Sequence, residues 1–162
     1  MRERAATVEK EHGAPHILVN NAGIRLNADA LDTTDEIWRR QMSINLDGLF
    51  YCCREFGRAM VRERRGAVVN ISSIAGVVAI RPQHHIAYSA LKAAVAQVSR
   101  VLASEWARAG VRVNAIGPGY VATELPVAAT KSDPGMLDAW MSMVPRGSLV
   151  QPEEIALSVH SW

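Results

Sequence analysis

Residues 68–92 read VVNISSIAGVVAIRPQHHIAYSALK, from Val68 to Lys92. An apolar run ends in Asn70, Ser72 and Ser73, a loop with Arg81 and Pro82 follows, and a helical pattern then carries Tyr88 and Lys92. Residues four apart on a helix share a face, so a phenol and an ammonium are presented together. A phenol ordinarily titrates near about 10 and is a poor acid or base at neutral pH. A neighbouring cation favours the phenolate and lowers that value, as a proton-transferring tyrosine requires. A serine brought in from the strand end would hydrogen-bond the reacting oxygen. The stretch predicts strand, loop and helix, with a site for proton transfer at a carbonyl or alcohol oxygen.

The same alternation continues on both sides. Upstream, residues 2–12 read as a helix stopped by Gly13, and His16–Asn20 as a short apolar strand buried on both faces. The strand ends in the small, polar turn Asn20-Asn21-Ala22-Gly23, where backbone can approach a ligand closely. Asp32 or Thr33 is placed to cap a helix over residues 34–64, with Ile37, Leu46, Phe50 and Met60 in its apolar stripe and Arg39, Arg40, Arg54 and Arg58 on its wet side. Asn45 and Asp47 interrupt that stripe. By itself Asn45 reads as a solvent-facing polar residue. Downstream, residues 86–109 read as a long Ala-rich helix, Val111–Ile116 as a third strand, and Gly117-Pro118-Gly119-Tyr120 as the turn beyond it. Short helices follow around Met136–Met143 and after Pro152. Strand–helix–strand repetition with short apolar strands implies βαβ units and a parallel sheet. In such sheets ligands bind beyond the strands' carboxyl ends. The Asn20–Gly23, Ser72-Ser73 and Pro118-Gly119 motifs all fall there.

A length of 162 residues suits one domain, here 1–162, and 49% apolar with 21% charged residues is an ordinary globular composition. A formal net charge of +2 gives no reason to expect nucleic acid or a membrane surface as partner. The two cysteines are the adjacent Cys52 and Cys53, read as reduced packing residues in keeping with a cytoplasmic setting. The charged N-terminus lacks the apolar core of a signal peptide, and no run approaches the ~20 apolar residues of a membrane span. No His, Cys and carboxylate cluster has the spacing of a metal site. Trp38, Trp106, Trp140 and Trp162 read as packing residues rather than as residues that stack on a ligand. His84 and His85 read as surface loop residues, with a substrate contact as the alternative.

Five motifs in order resemble the short-chain dehydrogenase/reductase family, classical type. Asn20–Gly23 resembles its NNAG motif and Asn45-Leu46-Asp47-Gly48 its helix with an active-site asparagine. Asn70–Ser73 resembles its strand-end serine motif, Tyr88–Lys92 its YxxxK motif, and Pro118 through Thr123 its PG-xxx-T segment. The resemblance implies an α/β fold with a doubly wound, Rossmann-type parallel sheet. It also implies an oxidoreductase that interconverts an alcohol and a carbonyl by hydride transfer with NAD or NADP. By the same resemblance Tyr88 is the general acid/base, Lys92 lowers its pKa and holds the nicotinamide ribose, and Ser73 polarises the substrate. Ser73 is preferred over Ser72 because Ile74-Ala75-Gly76 follows it. Asn45 would anchor a water leading protons to Lys92. Asn21, Ala22 and Gly23 would contact the cofactor's ribose and adenine side. Pro118, Gly119, Val121 and Thr123 would contact its carboxamide and pyrophosphate side. The full-length form would be a homo-oligomer, paired through the helices at 34–64 and 86–109.

The loop from Ser73 to Tyr88 is longer than the family's commoner spacing. It is similar to members acting on polyols and sugar acids, and it reads equally as a length variant without substrate meaning. The family's TGxxxGxG loop does not occur in the sequence. The resemblance therefore implies a partial sheet, lacking the family's first three strands and its last, and a bare edge on the strand at residues 17–19. A catalytically inactive fragment, acting only by association with a full-length relative, is the alternative function.

Overall fold

Each strand forms where a short apolar run lacks helical periodicity, and helices separate the runs, which is the connectivity that parallel pairing needs. The computed structural model describes residues 1–123 and 134–161. The elements in chain order are α1 (Arg2–His12), β1 (Ile17–Asn20), α2 (Asp35–Met42), a π-helical turn (Ser43–Asp47) and α3 (Gly48–Arg62). They continue as β2 (Gly66–Ile71), a 3-10 turn (Ile74–Gly76), α4 (Ile86–Trp106), a second 3-10 turn (Ala107–Ala109), β3 (Val111–Ile116), α5 (Pro134–Ser142) and α6 (Pro152–His160). The α/β alternation read from the sequence is therefore present in order.

The three strands form one parallel sheet in the order β1–β2–β3, with Asn20 opposite Asn70 and Asn70 opposite Ala115. This register brings all three carboxyl ends to one side. The central strand is buried, and on one face Val68, Val111 and Val113 pack against Leu49, Cys53 and Met60 of α3 and Val95 and Leu102 of α4. Burying a side chain of this size stabilises by about 1.5–3 kcal/mol, so this layer is what holds α3 and α4 to the sheet. The opposite face lies toward α6, whose Ala156 and Val159 share a cavity wall with Ile17, Val19, Ala67 and Val69.

Three expectations change. β1 is not buried on both faces: Ile17 is 66% and Val19 43% exposed, because β1 has one neighbour and forms the sheet edge. Thr34, rather than Asp32 or Thr33, caps α2 by accepting the Ile37 N–H at 3.2 Å, while Thr33 donates to the Asp29 carbonyl. The tryptophans divide: Trp106 packs on Gly57 and Trp140 is buried, Trp38 is exposed, and Trp162 lies outside the described residues. Cys52 and Cys53 are free thiols, and burial pushes Cys53 up to about 11, which suits a packing residue. No helix among the described residues is long and apolar enough to cross a membrane.

Candidate active site

The carboxyl ends of the strands open onto a cavity of ≈ 430 Å³. Asn21 and Gly23 reach it from β1, Ser72 and Ser73 from β2, and Pro118, Gly119, Val121 and Thr123 from β3. Asn45 enters from the π-helical turn, and Tyr88 and Lys92 from the first two turns of α4. Every predicted site residue except Ala22 thus lines one cavity. The sequence reading missed Arg25 and Tyr120, which also line it, and favoured a surface position for His85, which is buried and packs edge-on to Tyr88 at 5.6 Å between ring centroids. His85 had a signal: it precedes Tyr88 by three residues, a spacing that shares a helix face. It is buried, unlike exposed His84, which pairs with Asp29. Arg25 has no spacing signal of its own.

Strand end and helix are tied by two hydrogen bonds running in opposite directions. The Lys92 ammonium donates to the Ile71 carbonyl at 2.6 Å, and the Ser72 hydroxyl donates to the Lys92 carbonyl at 2.7 Å. Gly76 rests on the same turn of α4, where a Cβ would fall 2.6 Å from Ala93 N and from Lys92 C. Ser72 is therefore a fastening residue, and Ser73 the serine left facing the cavity, with its Oγ accepting the Ala75 N–H at 3.1 Å.

A second fastening runs from the helical stretch to the loop after β1. The Asn45 side chain accepts the Ile24 N–H at 2.9 Å and donates to the Ile24 carbonyl at 3.1 Å. One turn earlier, Gln41 accepts the Leu26 N–H at 3.0 Å and donates to the Leu26 carbonyl at 3.2 Å. Both amides are buried, and Asn45 also donates to the Gln41 carbonyl at 2.9 Å. The π-helical turn contains Asn45, and such bulges recur at functional sites. With both of its N–H groups taken, Asn45 offers a water only a lone pair on Oδ1.

The electrostatics differ from the tyrosine–lysine expectation. Burial holds the Tyr88 phenol above its ordinary value, while the Ser73 hydroxyl bonded to it and the Arg25 charge pull it down. Lys92 lies 5.5 Å from the Tyr88 ring centroid but donates to Ile71, and burial pushes its own pKa down to about 8. Desolvation, invisible in the i,i+4 spacing, outweighs Ser73 and the Arg25 charge at the phenol. His85 is pushed below its ordinary value, by burial first and then by Arg25.

A parallel α/β sheet with serine, tyrosine and lysine at its carboxyl ends has the layout of a dinucleotide-fold oxidoreductase domain. Comparison with known proteins agrees: a family model described as enoyl-(acyl carrier protein) reductase matches residues 1–160. Galactitol 2-dehydrogenase (L-tagatose-forming) of Cereibacter sphaeroides is 49% identical over 94% of this chain and 60% of the relative. Galactitol 2-dehydrogenase of Rhizobium johnstonii is 44% identical over 95% of this chain and 60% of the relative. A solved gluconate 5-dehydrogenase from Burkholderia cenocepacia J2315, in complex with NADP and tartrate, superposes with a TM-score of 0.90 at 31% identity, covering 98% of this chain and 61% of that one. The chain belongs to the short-chain dehydrogenase/reductase family. It spans about 60% of the length of these curated relatives.

Proposed function

We propose that this chain carries the reacting end of an NAD(P)-dependent oxidoreductase that interconverts an alcohol and a carbonyl on a small hydroxylated substrate, a polyol or a sugar acid. The observation that supports it most is that Tyr88, Ser73 and Lys92 line one cavity, with Ser73 near enough to Tyr88 to pull its pKa down. The donor set fits a nicotinamide nucleotide. Asn21, Lys92 and Thr123 offer amide, ammonium and hydroxyl groups to ribose and phosphate oxygens. A Cβ on Gly119 would meet nothing nearer than Ile74 at 3.9 Å, so the wall stays open there.

When bound, the nicotinamide supplies the hydride or accepts it. In reduction, Tyr88 gives its hydroxyl proton to the carbonyl oxygen as the carbon gains the hydride, leaving an alcohol and a phenolate. In oxidation the phenolate takes the hydroxyl proton back. Ser73 hydrogen-bonds the same oxygen and steadies the charge that develops on it. Lys92 holds the ribose hydroxyls, and Asn45 holds the loop beyond Gly23 in place. Burial raises the Tyr88 phenol further above its ordinary value, which favours the protonated form that donates in reduction, and oxidation gains as pH rises.

The test is Tyr88→Phe in the full protein, with galactitol and its ketose as substrate pair. General acid/base catalysis contributes about 10²–10⁴-fold, so kcat falls by that factor with the fold intact. Retention of more than a tenth of the activity overturns the assignment. A second reading, association of a catalytically silent chain with a longer relative, is favoured by the exposed edge of β1. Turnover by the purified chain alone excludes it.

A further inference from the structure

Among the described residues the cavity wall holds two cations, Arg25 and Lys92, and no carboxylate. Lys92 donates to the Ile71 carbonyl, and its remaining donors are those assigned above to the nicotinamide ribose. Arg25 is half-buried, and no described residue forms an ion pair or hydrogen bond with its guanidinium. Its position is built rather than incidental. The residues on either side of it, Ile24 and Leu26, are each gripped at both main-chain N–H and C=O by a buried side-chain amide, Asn45 and Gln41. Those amides sit four apart on one face of the helical stretch. They pin the main chain on either side of Arg25 to side chains instead of to a strand, and the Arg25 side chain lines the cavity. Two buried amides spent on one short loop fix the cation beside Tyr88, His85 and Tyr120, all of which feel its charge.

We infer that Arg25 is a specificity-determining residue that binds a carboxylate of the substrate, so that the cavity prefers a hydroxy acid to the neutral polyol of the same carbon skeleton. This rests on the oxidoreductase reading above. A guanidinium suits it because its planar fork matches a carboxylate bidentately. A hydroxy acid holds the carboxylate at one end of the chain and the reacting alcohol further along. Arg25 therefore sets which carbinol carbon faces Tyr88.

The experiment compares D-galactonate with galactitol in the full protein, by kcat/KM with cofactor saturating and by calorimetric binding. Wild type favours the acid. Hydrogen bonds to charged groups are worth about 1.5–3 kcal/mol, so Arg25→Gln lowers the acid-to-polyol ratio by roughly 10- to 100-fold. Arg25→Lys, which keeps the charge and loses the fork, falls between the two. If Arg25→Gln fails to fold, salt decides: screening of an ion pair makes the wild-type ratio fall as ionic strength rises. Equal preference for both substrates in wild type, equal losses for both in the variant, or a loss carried by the cofactor's KM overturns the assignment. If neither compound is oxidised, the oxidoreductase reading has failed, and the calorimetric ratio alone decides Arg25.

Discussion

Lys92 is held in the fold at a cost, and replacing it with methionine exposes that cost. Burial lowers its pKa from 10.5 to about 8. At about 1.36 kcal/mol per unit, carrying the charged lysine at neutral pH costs the native state on the order of 3 kcal/mol. Methionine keeps the length and apolar stem but removes the donor to Ile71, held at 2.6 Å. Leaving that carbonyl unpaired costs about 1–3 kcal/mol. Lys92→Met is therefore expected to gain roughly 0–2 kcal/mol at pH 7 while losing oxidoreductase activity. The sign with pH is fixed. A depressed native pKa means that the unfolded chain binds more protons between about 8 and 10.5, so the wild type gains stability as pH rises through that window. The advantage of methionine is full below pH 8 and shrinks toward 10.5. Urea unfolding of both proteins at pH 7 and near pH 10 measures it. If Lys92→Met is destabilised by more than about 1 kcal/mol at pH 7, or the gap between the proteins is the same at both pH values, burial is not what governs this lysine.

Two further substitutions probe the fastenings. Asn45→Ala removes the hydrogen bonds to Ile24 N–H, Ile24 C=O and Gln41 C=O and is expected to cost about 2–4 kcal/mol in urea unfolding, with a larger proportional loss of kcat/KM as residues 24–26 loosen; an effect under 1 kcal/mol contradicts the clamp. Gly76→Ala places a methyl 2.6 Å from the α4 backbone at Ala93 N, an overpacking worth about 1–3 kcal/mol. Because the displaced loop carries Ser73, kcat is expected to drop with the substrate's KM nearly unchanged, and steady-state kinetics at fixed stability conditions checks it.

The central strand was legible because the interior of a parallel sheet favours a continuous apolar run, as at Ala67–Val69, whereas β3 alternates, with exposed Arg112 between buried Val111 and Val113. The helix stop at Gly110 was legible because its φ of 72° favours glycine. The proposed reacting pair was legible because Tyr88 and Lys92 are local to one helix. What escaped depends on contacts between distant segments. Asn45 looks like a polar interruption until the Gln41 and Asn45 amides are seen to grip residues 24–26. Arg25 is an ordinary loop arginine until that grip aims it. Even the sign of the Tyr88 shift followed burial rather than the neighbouring charge, and burial is a property of the whole fold.

The length of the loop before Tyr88 illustrates how such contacts separate chemistry from sequence spacing. Ser73 and Tyr88 must meet, yet the segment between them is long and includes exposed Val77 and Val78. Were their distance set by the intervening chain, lengthening that chain would part them. Instead the loop is closed at its root. Ser72 donates to the Lys92 carbonyl, Lys92 to the Ile71 carbonyl, and Gly76 packs against the same helical turn. The Ile74 N–H adds a bond to the Pro118 carbonyl at 3.0 Å, tying the serine turn to the loop after β3. Ser73 is thus positioned from α4 and β3, and residues 77–85 are free to differ in length without moving it. Their own contacts lie elsewhere: Gln83 accepts the Trp140 indole N–H at 3.0 Å, and Trp140 stacks on Tyr120 at 4.8 Å in the cavity wall. A longer loop therefore leaves Ser73 where α4 and β3 hold it, and changes instead what packs on Trp140 and, through it, on Tyr120.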